Sequence, residues 1–301
     1  MKPIIRLLCA ALLCAPALAQ ARLDVFACEP EWQALVQELA GARARVVSAT
    51  TALQDPHRIE ARPSLIAQLR RADLLVCTGA GLEAGWLPLL LRESANPAVQ
   101  PGRPGYVEAA GFVTLRDVPE RVDRAHGDVH AEGNPHLHTD PRNIARVAAG
   151  LAERLAAVDP ANAADYGARH ADFARRWQAA IARWEREAAV LRDQPVVFQH
   201  KSWIYLAEWL VLREAAVLEP LPGVPPSVTH LAAVLDGLRA APARMIVRAA
   251  YEHPRPAAWL AQRAQLPVVV LPYTVGGDPA AGDLFALFDL TIARLRAALP
   301  Q

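Results

Sequence analysis

The segment LDVFACEPEWQALVQELAGARARVVS, residues 23–48, decides the fold, because it predicts a strand, a helix and a second strand in direct succession. The short apolar run Leu23–Cys28 is typical of a buried strand, Glu31–Leu39 of a helix, and Ala44–Ser48 of another strand. The alternation continues with a helix and then a buried strand at Leu74–Cys77. A β-α-β-α-β order of this kind predicts a parallel sheet with helices on both faces.

The second half of the chain repeats this plan. It predicts strands at Pro195–Phe198, Met245–Arg248 and Pro267–Leu271, with helices between them. Between the two halves, large apolar residues recur at steps of seven, four, four and three, which place them on one face of a helix. They are Tyr166, Phe173, Trp177, Ile181 and Trp184. The spacing predicts a long amphipathic helix that ends near Arg192 and spans roughly 45 Å.

We therefore predict an α/β protein in which two parallel-sheet lobes are joined by one long backbone helix. The expected parts are an N-terminal lobe at residues 22–141, a helical linker with the long helix at 142–192, and a C-terminal lobe at 193–301. The formal net charge of +1 gives no electrostatic case for binding nucleic acid or an anionic membrane surface.

The N-terminus is typical of a secretory signal peptide. Lys2 and Arg6 supply the positive charge, and Ile4–Leu18 is apolar but short for a span of the bilayer. Small residues at the end of this run offer cleavage sites. We predict that residues 1–21 are a signal peptide and that the mature chain is periplasmic; an N-terminal membrane anchor is the alternative.

Two cysteines remain after the predicted signal peptide. Cys28 and Cys77 each close an apolar run that predicts a strand. If those strands are parallel neighbours, both thiols lie at the same edge of the sheet, and an exported protein reaches an oxidising compartment. We predict a disulfide between them. Two free buried cysteines are the alternative, and a zinc site is disfavoured because no second Cys-x-x-Cys or nearby histidine completes it.

Histidines recur at three distant points of the chain: after the second predicted strand, on the last loop of the first lobe, and after the first strand of the second lobe. His57 ends Asp55-Pro56-His57, His136 and His138 lie in Asn134-Pro135-His136-Leu137-His138, and His200 directly follows the strand at 195–198. Ligands in open α/β sheets bind at the carboxyl ends of strands, and imidazole suits zinc. The pattern predicts a metal site between the lobes, although a single histidine after proline is more often a surface or capping residue.

Five motifs in a fixed order resemble those of a known family. They are Asp55-Pro56-His57-Arg58-Ile59-Glu60, Leu82-Glu83-Ala84-Gly85-Trp86-Leu87, Gly133-Asn134-Pro135-His136, Asp140-Pro141 and His200-Lys201-Ser202-Trp203-Ile204-Tyr205. The chain resembles the periplasmic receptors that supply zinc and manganese ABC importers, the cluster A-I solute-binding proteins. The resemblance implies a metal in the cleft between two lobes, with His57, His136 and His200 at the three main ligand positions.

The fourth ligand is left open by the sequence. The family's usual aspartate after the last strand of the second lobe is missing, which leaves His138, Asp278 or water. We favour His138, which would face the same way as His136 in an extended segment. An all-imidazole site favours zinc over manganese. His126 and His130, in the loop before the site, predict either a metal-capture arm or a plain solvated loop.

The expected function is therefore that of a periplasmic receptor. It would bind zinc with high affinity and deliver it to the permease of an ABC importer in the inner membrane. We expect a monomer without catalytic activity, with a metallochaperone as a further candidate partner. The alternative is a secreted zinc-dependent hydrolase, for which Glu60 is the nearest candidate base, but no His-Glu-x-x-His helix is present. A third possibility is an organic-solute receptor, but the sequence shows no obvious Arg or Asp clamp with aromatic walls for such a ligand.

Overall fold

Two parallel sheets form the framework of the chain in a computed structural model that describes residues 22–119, 130–220 and 223–299. In these residues each sheet has four strands, ordered β2-β1-β3-β4 and β6-β5-β7-β8. All the strand pairs are parallel. The strands are β1 Leu23–Ala27, β2 Ala44–Ser48, β3 Leu74–Cys77, β4 Tyr106–Glu108, β5 Pro195–Phe198, β6 Arg213–Val217, β7 Met245–Ala249 and β8 Val268–Leu271. The second lobe thus repeats the strand order of the first.

Nine α-helices in the described residues surround these sheets. They are α1 Pro30–Ala40, α2 Pro63–Leu69, α3 Leu87–Ser94, α4 Pro141–Val158, α5 Ala163–Glu187, α6 Ile204–Leu210, α7 Val228–Ala240, α8 Arg255–Ala264 and α9 Leu284–Ala297. None of these helices combines the length and the apolar composition needed to cross a membrane. The predicted signal peptide, residues 1–21, lies outside the described residues.

The inner strands β1, β3, β5 and β7 bury both faces because their side chains alternate between two apolar cores. In β1, Val25 and Ala27 belong to a central core, whereas Phe26 packs on the other face against α2 and α3. In the second lobe the outer face has a separate core with α7 and α8. The central core contains residues of both sheets and of α4, α5 and α9, so one continuous apolar interior joins the lobes.

The long helix α5 confirms the aromatic pattern of the sequence. Phe173, Trp177 and Trp184 are fully buried along one face. The helix packs against α1 and α4 on the side of the first lobe and against α9 of the second. Its 25 residues correspond to roughly 37 Å, shorter than expected, because the last turns at Ala188–Leu191 tighten into a 3-10 helix.

Two edge strands were not predicted. Strand β4 has only three residues and lies between the predicted strand at Leu74–Cys77 and the histidine segment at 134–138. Strand β6 begins with the exposed residues Arg213 and Glu214, and a bulge interrupts its pairing with β5. Short, charged and irregular edge strands carry little of the alternating apolar signal, because one side of the strand has no partner to bury it.

The predicted disulfide between Cys28 and Cys77 is confirmed. The two residues lie at the ends of neighbouring parallel strands, with their Cα atoms 4.8 Å apart, and both are fully buried. A carboxylate oxygen of Glu83 lies within 4.8 Å of the sulfurs. Because the sulfurs are bonded to each other, they are not available as thiolate ligands, and the zinc alternative for this pair does not apply.

Candidate metal centre

Four imidazoles lie together between the two sheets. The ring centre of His57 is 5.4 Å from that of His136, 6.1 Å from that of His200 and 5.3 Å from that of His130. The rings of His136 and His200 are 5.5 Å apart. Imidazoles that share a tetrahedral zinc ion have ring centres about 5 Å apart, given Zn–N bonds of about 2 Å. The predicted trio therefore converges, and His130 joins it.

His57 is held by its own loop after β2. The side chain of Asp55 accepts hydrogen bonds from both the backbone amide and the Nδ1–H of His57, at 3.0 and 2.8 Å. The indole of Trp86 donates to the carbonyl of Pro56 at 2.9 Å, and this hydrogen bond fixes the turn that carries His57. Burial alone would raise the pKa of Asp55, but the hydrogen bonds and charge of His57 outweigh this, and the pKa lies below its ordinary value.

His136 lies in the loop that precedes α4, and it is 1% exposed. The side-chain oxygen of Asn134 accepts from its backbone amide at 3.0 Å, and its Nδ1 is hydrogen-bonded to the hydroxyl of Tyr273 at 2.6 Å. Burial lowers the pKa of His136 well below its ordinary value, and repulsion from the other imidazoles lowers it further. Its ring therefore stays neutral at neutral pH, the state in which it can bind a metal.

His200 comes from the second lobe, directly after β5. Its Nδ1–H donates to a carboxylate oxygen of Glu219 at 2.8 Å, and Glu219 lies just beyond the end of β6. The backbone amide of Glu219 donates to the carbonyl of Gln199, so the carboxylate and the imidazole are held at the ends of paired strands. The unpredicted strand β6 thus supplies the residue that orients His200.

The three predicted ligands share one arrangement of hydrogen bonds. In His57, His136 and His200 an outer partner occupies Nδ1, which leaves Nε2 for the centre of the cluster. A carboxylate can only accept, so the rings of His57 and His200 carry their proton on Nδ1 and a lone pair on Nε2. Metal-binding histidines characteristically show this arrangement, because the outer hydrogen bond fixes both the tautomer and the ring orientation.

His130 was named in the sequence only as part of a capture arm or a solvated loop. Its Nε2 lies 3.2 Å from Nε2 of His57, close to the roughly 3.3 Å between two nitrogens on a tetrahedral zinc ion. The ring passes over Gly81, where a Cβ would lie 3.4 Å from Nδ1 of His130. No periodic pattern marked this histidine, and residues 130–134 that carry it form no helix or strand. His126 of the same loop lies outside the described residues.

His138 does not join the cluster, contrary to our preference for it as the fourth ligand. Residues Leu137–Thr139 form a 3-10 turn rather than an extended strand, so His136 and His138 point in different directions. The Nε2–H of His138 donates to the carbonyl oxygen of Tyr273 at 3.0 Å, so that nitrogen has no lone pair for a metal. Its Nδ1 lies 3.3 Å from Glu31 Oε1, without the geometry of a hydrogen bond.

Two other sequence candidates also have different partners. Asp278 accepts a hydrogen bond from the amide of Ala280 and pairs with Arg294. Its carboxylate therefore stabilises a turn and does not contact the imidazole cluster. Glu60, the candidate base of a hydrolase, is exposed. The residue that orients His57 is Asp55 and not Glu60, the candidate named from the sequence.

A cavity of about 190 Å³ reaches the cluster from one side. His57 and His200 contribute to its lining, together with Glu219 and Glu252. Burial raises the pKa of Glu252 to about 8, so this carboxyl group is mostly neutral at pH 7. Asp55 also lines the cavity, so it borders both carboxylates that hold Nδ1 of His57 and His200.

One protein family matches most of this chain. The family model described as zinc-uptake complex component A, periplasmic (ZnuA), matches residues 25–298. The chain belongs to this family. Members of the ZnuA family are periplasmic or lipoprotein receptors that work with the membrane proteins of ABC importers; they are not enzymes. Membership confirms the resemblance seen in the sequence, and it goes against the secreted hydrolase.

Individual relatives of the chain are distant. The zinc-binding lipoprotein AdcA of Streptococcus pneumoniae is 24% identical over 204 residues, which span 66% of this chain and only 40% of AdcA. The crystal structure of ZnuA is 22% identical with a TM-score of 0.78, and the match covers 93% of this chain and 100% of that one. The SBP FpvC from Pseudomonas aeruginosa, in complex with Mn²⁺, is also 22% identical, with a TM-score of 0.77 and coverage of 92% and 99%. At these identities the structural matches show the fold, and they confirm the two-lobed α/β architecture.

Proposed function

We propose that this protein is a periplasmic receptor that binds zinc between its lobes and delivers it to the permease of an ABC importer. The observation that carries the proposal is the convergence of three imidazoles from both lobes, each with Nδ1 hydrogen-bonded to an outer partner. A site that carries an ion without chemical change needs no catalytic base. Family membership and the names of the relatives support the same reading.

The proposed ligands are His57, His136 and His200, with His130 in the fourth position instead of His138. The argument for His130 is the 3.2 Å separation of its Nε2 from that of His57. Four nitrogen ligands would replace the water of the ion completely, as tetrahedral zinc sites require. A closed site of this kind suits an ion that must be carried and not used in chemistry.

Zinc fits the proposed site better than manganese. Manganese prefers oxygen ligands, whereas the groups that face one another here are imidazole nitrogens. The charge also balances: the carboxylates of Asp55 and Glu219 lie directly behind two of the imidazoles and offset the two positive charges of the ion. Family relatives bind other divalent metals, and manganese is therefore the competitor to test.

The remaining parts of the proposal concern location and partners. We propose that residues 1–21 are removed as a signal peptide, that the mature chain acts as a monomer, and that its lobes correspond to residues 22–141 and 193–301 with a helical linker at 142–192. The permease would be its delivery partner, and a metallochaperone is a further candidate for loading.

Calorimetry with purified, metal-free protein tests the ligand set. We expect the wild type to bind one zinc ion tightly and to keep it against excess manganese. Alanine at His57, His136 and His200 together should abolish stoichiometric binding, whereas His170→Ala, on the back helix α5, should leave it unchanged. Tight, stoichiometric zinc binding by the triple variant would refute the proposal.

The fourth ligand needs a separate pair of variants. His130→Ala should weaken zinc binding and open a position for exchangeable water, seen as a changed visible spectrum of the cobalt-substituted protein. His138→Ala should keep the four-nitrogen cobalt spectrum, because His138 contacts Tyr273 and not the cluster. If His138→Ala changes the cobalt spectrum and His130→Ala does not, His138 and not His130 is the fourth ligand.

A further inference from the structure

Two residues of the second lobe form hydrogen bonds with buried polar side chains of the first lobe. Tyr273 and Thr274 follow β8, and they are each 3% exposed. The carbonyl of Tyr273 accepts from His138 Nε2, and the hydroxyl of Thr274 donates to Glu31, which lies in the first turn of α1. His138 and Glu31 are themselves fully buried or nearly so. We call these four residues the clasp.

The clasp places the phenol of Tyr273 against a proposed metal ligand. The Tyr273 hydroxyl is 2.6 Å from Nδ1 of His136, and the Tyr273 ring packs edge-on against that of His138, with centres 4.6 Å apart. Both ends of Tyr273 are therefore held by imidazoles only two residues apart in the chain. One holds its backbone and the other meets its hydroxyl.

The partner of His136 differs from those of the other two ligands in one respect. His57 is oriented by Asp55 of its own loop, and His200 by Glu219 of its own lobe. His136 is oriented by a residue 137 positions away, on the opposite lobe. Its ring orientation is consequently the one that depends on how the two lobes are placed.

We propose that Tyr273 is a positioning residue that couples the closed arrangement of the lobes to the orientation of His136. While the clasp holds, the phenol keeps Nδ1 of His136 engaged and Nε2 directed at the ion. When the lobes separate at the importer, Tyr273 moves away with the second lobe, His136 loses its outer partner, and zinc is released. This inference rests on the proposed function, since it assigns a release step to the same site.

Tyr273→Phe is the first test, because it removes the hydroxyl and keeps the ring and the carbonyl that the clasp holds. Loss of the outer partner of a metal-binding histidine typically weakens binding 10–100-fold, and we expect that loss here, with most of it in faster zinc dissociation. Tyr166→Phe is the matched control: it removes a buried phenol of α5 whose hydroxyl donates to Asp159 at 2.7 Å. Equal zinc affinity and dissociation rates in the two variants would overturn the proposal.

A double-variant comparison tests the coupling itself. Thr274→Val removes one bond of the clasp without touching a histidine, so it should weaken zinc binding several-fold when Tyr273 is intact. It should have little further effect in the Tyr273→Phe protein, where a looser segment no longer reaches His136. Fully additive effects would show that the clasp and the phenol act independently, against the proposal.

A measurement without metal separates this inference from the proposed function. In the metal-free wild type, nitrogen NMR should show one tautomer of the His136 ring, and in Tyr273→Phe a mixture of both. An unchanged tautomer in the variant would reject the positioning role. If the wild type shows one tautomer but binds no zinc in the calorimeter, the proposed function fails while the positioning of His136 by Tyr273 stands.

Discussion

At the scale of single residues, the site depends on what lies behind each imidazole. Asp55 and Glu219 hold the Nδ1–H of His57 and His200, and Tyr273 holds Nδ1 of His136. A histidine whose second nitrogen is fixed loses less freedom on binding an ion, and a carboxylate partner makes the ligand more basic. The two carboxylate partners also keep the proton of His57 and His200 on Nδ1 before the metal arrives.

The depressed pKa of His136 makes stability depend on pH. An unfolded histidine has a pKa of about 6.5, and that of folded His136 lies well below its ordinary value because burial disfavours the charged ring. Between the two values only the unfolded chain binds the proton, so this contribution to stability is complete above about pH 6.5 and is lost as the pH falls. The loss approaches about 1.4 kcal/mol per pH unit.

The measurement is chemical unfolding of the metal-free protein between pH 7 and pH 5. His136→Gln is the matched variant, because glutamine has no proton to gain over this range. We expect the wild type to lose stability more steeply than the variant as the pH is lowered. Parallel curves for the two proteins would contradict the assignment.

At the scale of elements, the ends of parallel strands collect the functional groups. His57 follows β2, His200 follows β5, Glu219 follows β6 and Tyr273 follows β8. The carboxyl ends of parallel strands in one sheet lie along the same edge, and this is where open α/β sheets bind ligands. At this edge of the first sheet, the disulfide links the ends of β1 and β3.

Removing the disulfide should destabilise the fold without removing a proposed ligand. The bridge joins residues 49 positions apart, for which the loss of chain entropy in the unfolded state corresponds to about 4 kcal/mol, with 2–4 kcal/mol the usual measured effect. We expect Cys28→Ala/Cys77→Ala to lower the free energy of unfolding by about 2–4 kcal/mol in denaturant titrations. Zinc affinity of the folded variant should stay close to that of the wild type. A variant as stable as the oxidised wild type would disprove the role of the bridge.

At the scale of the whole molecule, the two lobes share one interior. The central apolar core takes residues from both sheets and from the long helix α5. Trp177 and Trp184 lie at its middle, fully buried, with ring centres 5.1 Å apart, and both pack against Phe288 of α9. A common core predicts that the lobes unfold together, because neither lobe can unfold without exposing apolar residues of the other.

Trp177→Ala tests the shared core. Truncating a buried tryptophan costs about 3–5 kcal/mol, and we expect a loss of that size, with a single transition reported alike by far-UV circular dichroism and by fluorescence. Trp259→Ala is the control, because Trp259 is only half-buried on α8, where Arg263 covers its ring at 4.2 Å. Separate transitions for the two lobes, or a loss no larger than in the control, would argue against one interior.

Parts of the fold could be predicted from the sequence where a pattern of neighbouring residues indicates them. The alternation of β1, α1 and β2 and the aromatic face of α5 are local patterns, and burial confirms them. The disulfide could be predicted because each cysteine ended a predicted strand. The edge strands β4 and β6 were missed, because strands with one unpaired side need not be apolar.

The sequence by itself determined the two lobes, the bridging helix and three of the converging imidazoles, because periodicity and strand ends are written in neighbouring residues. Only the tertiary structure decided that His130 enters the cluster, that His138 turns away from it, and that Tyr273 meets His136 across 137 positions. These contacts depend on how loops without periodic structure are packed between two lobes. No pattern within a single loop records that packing.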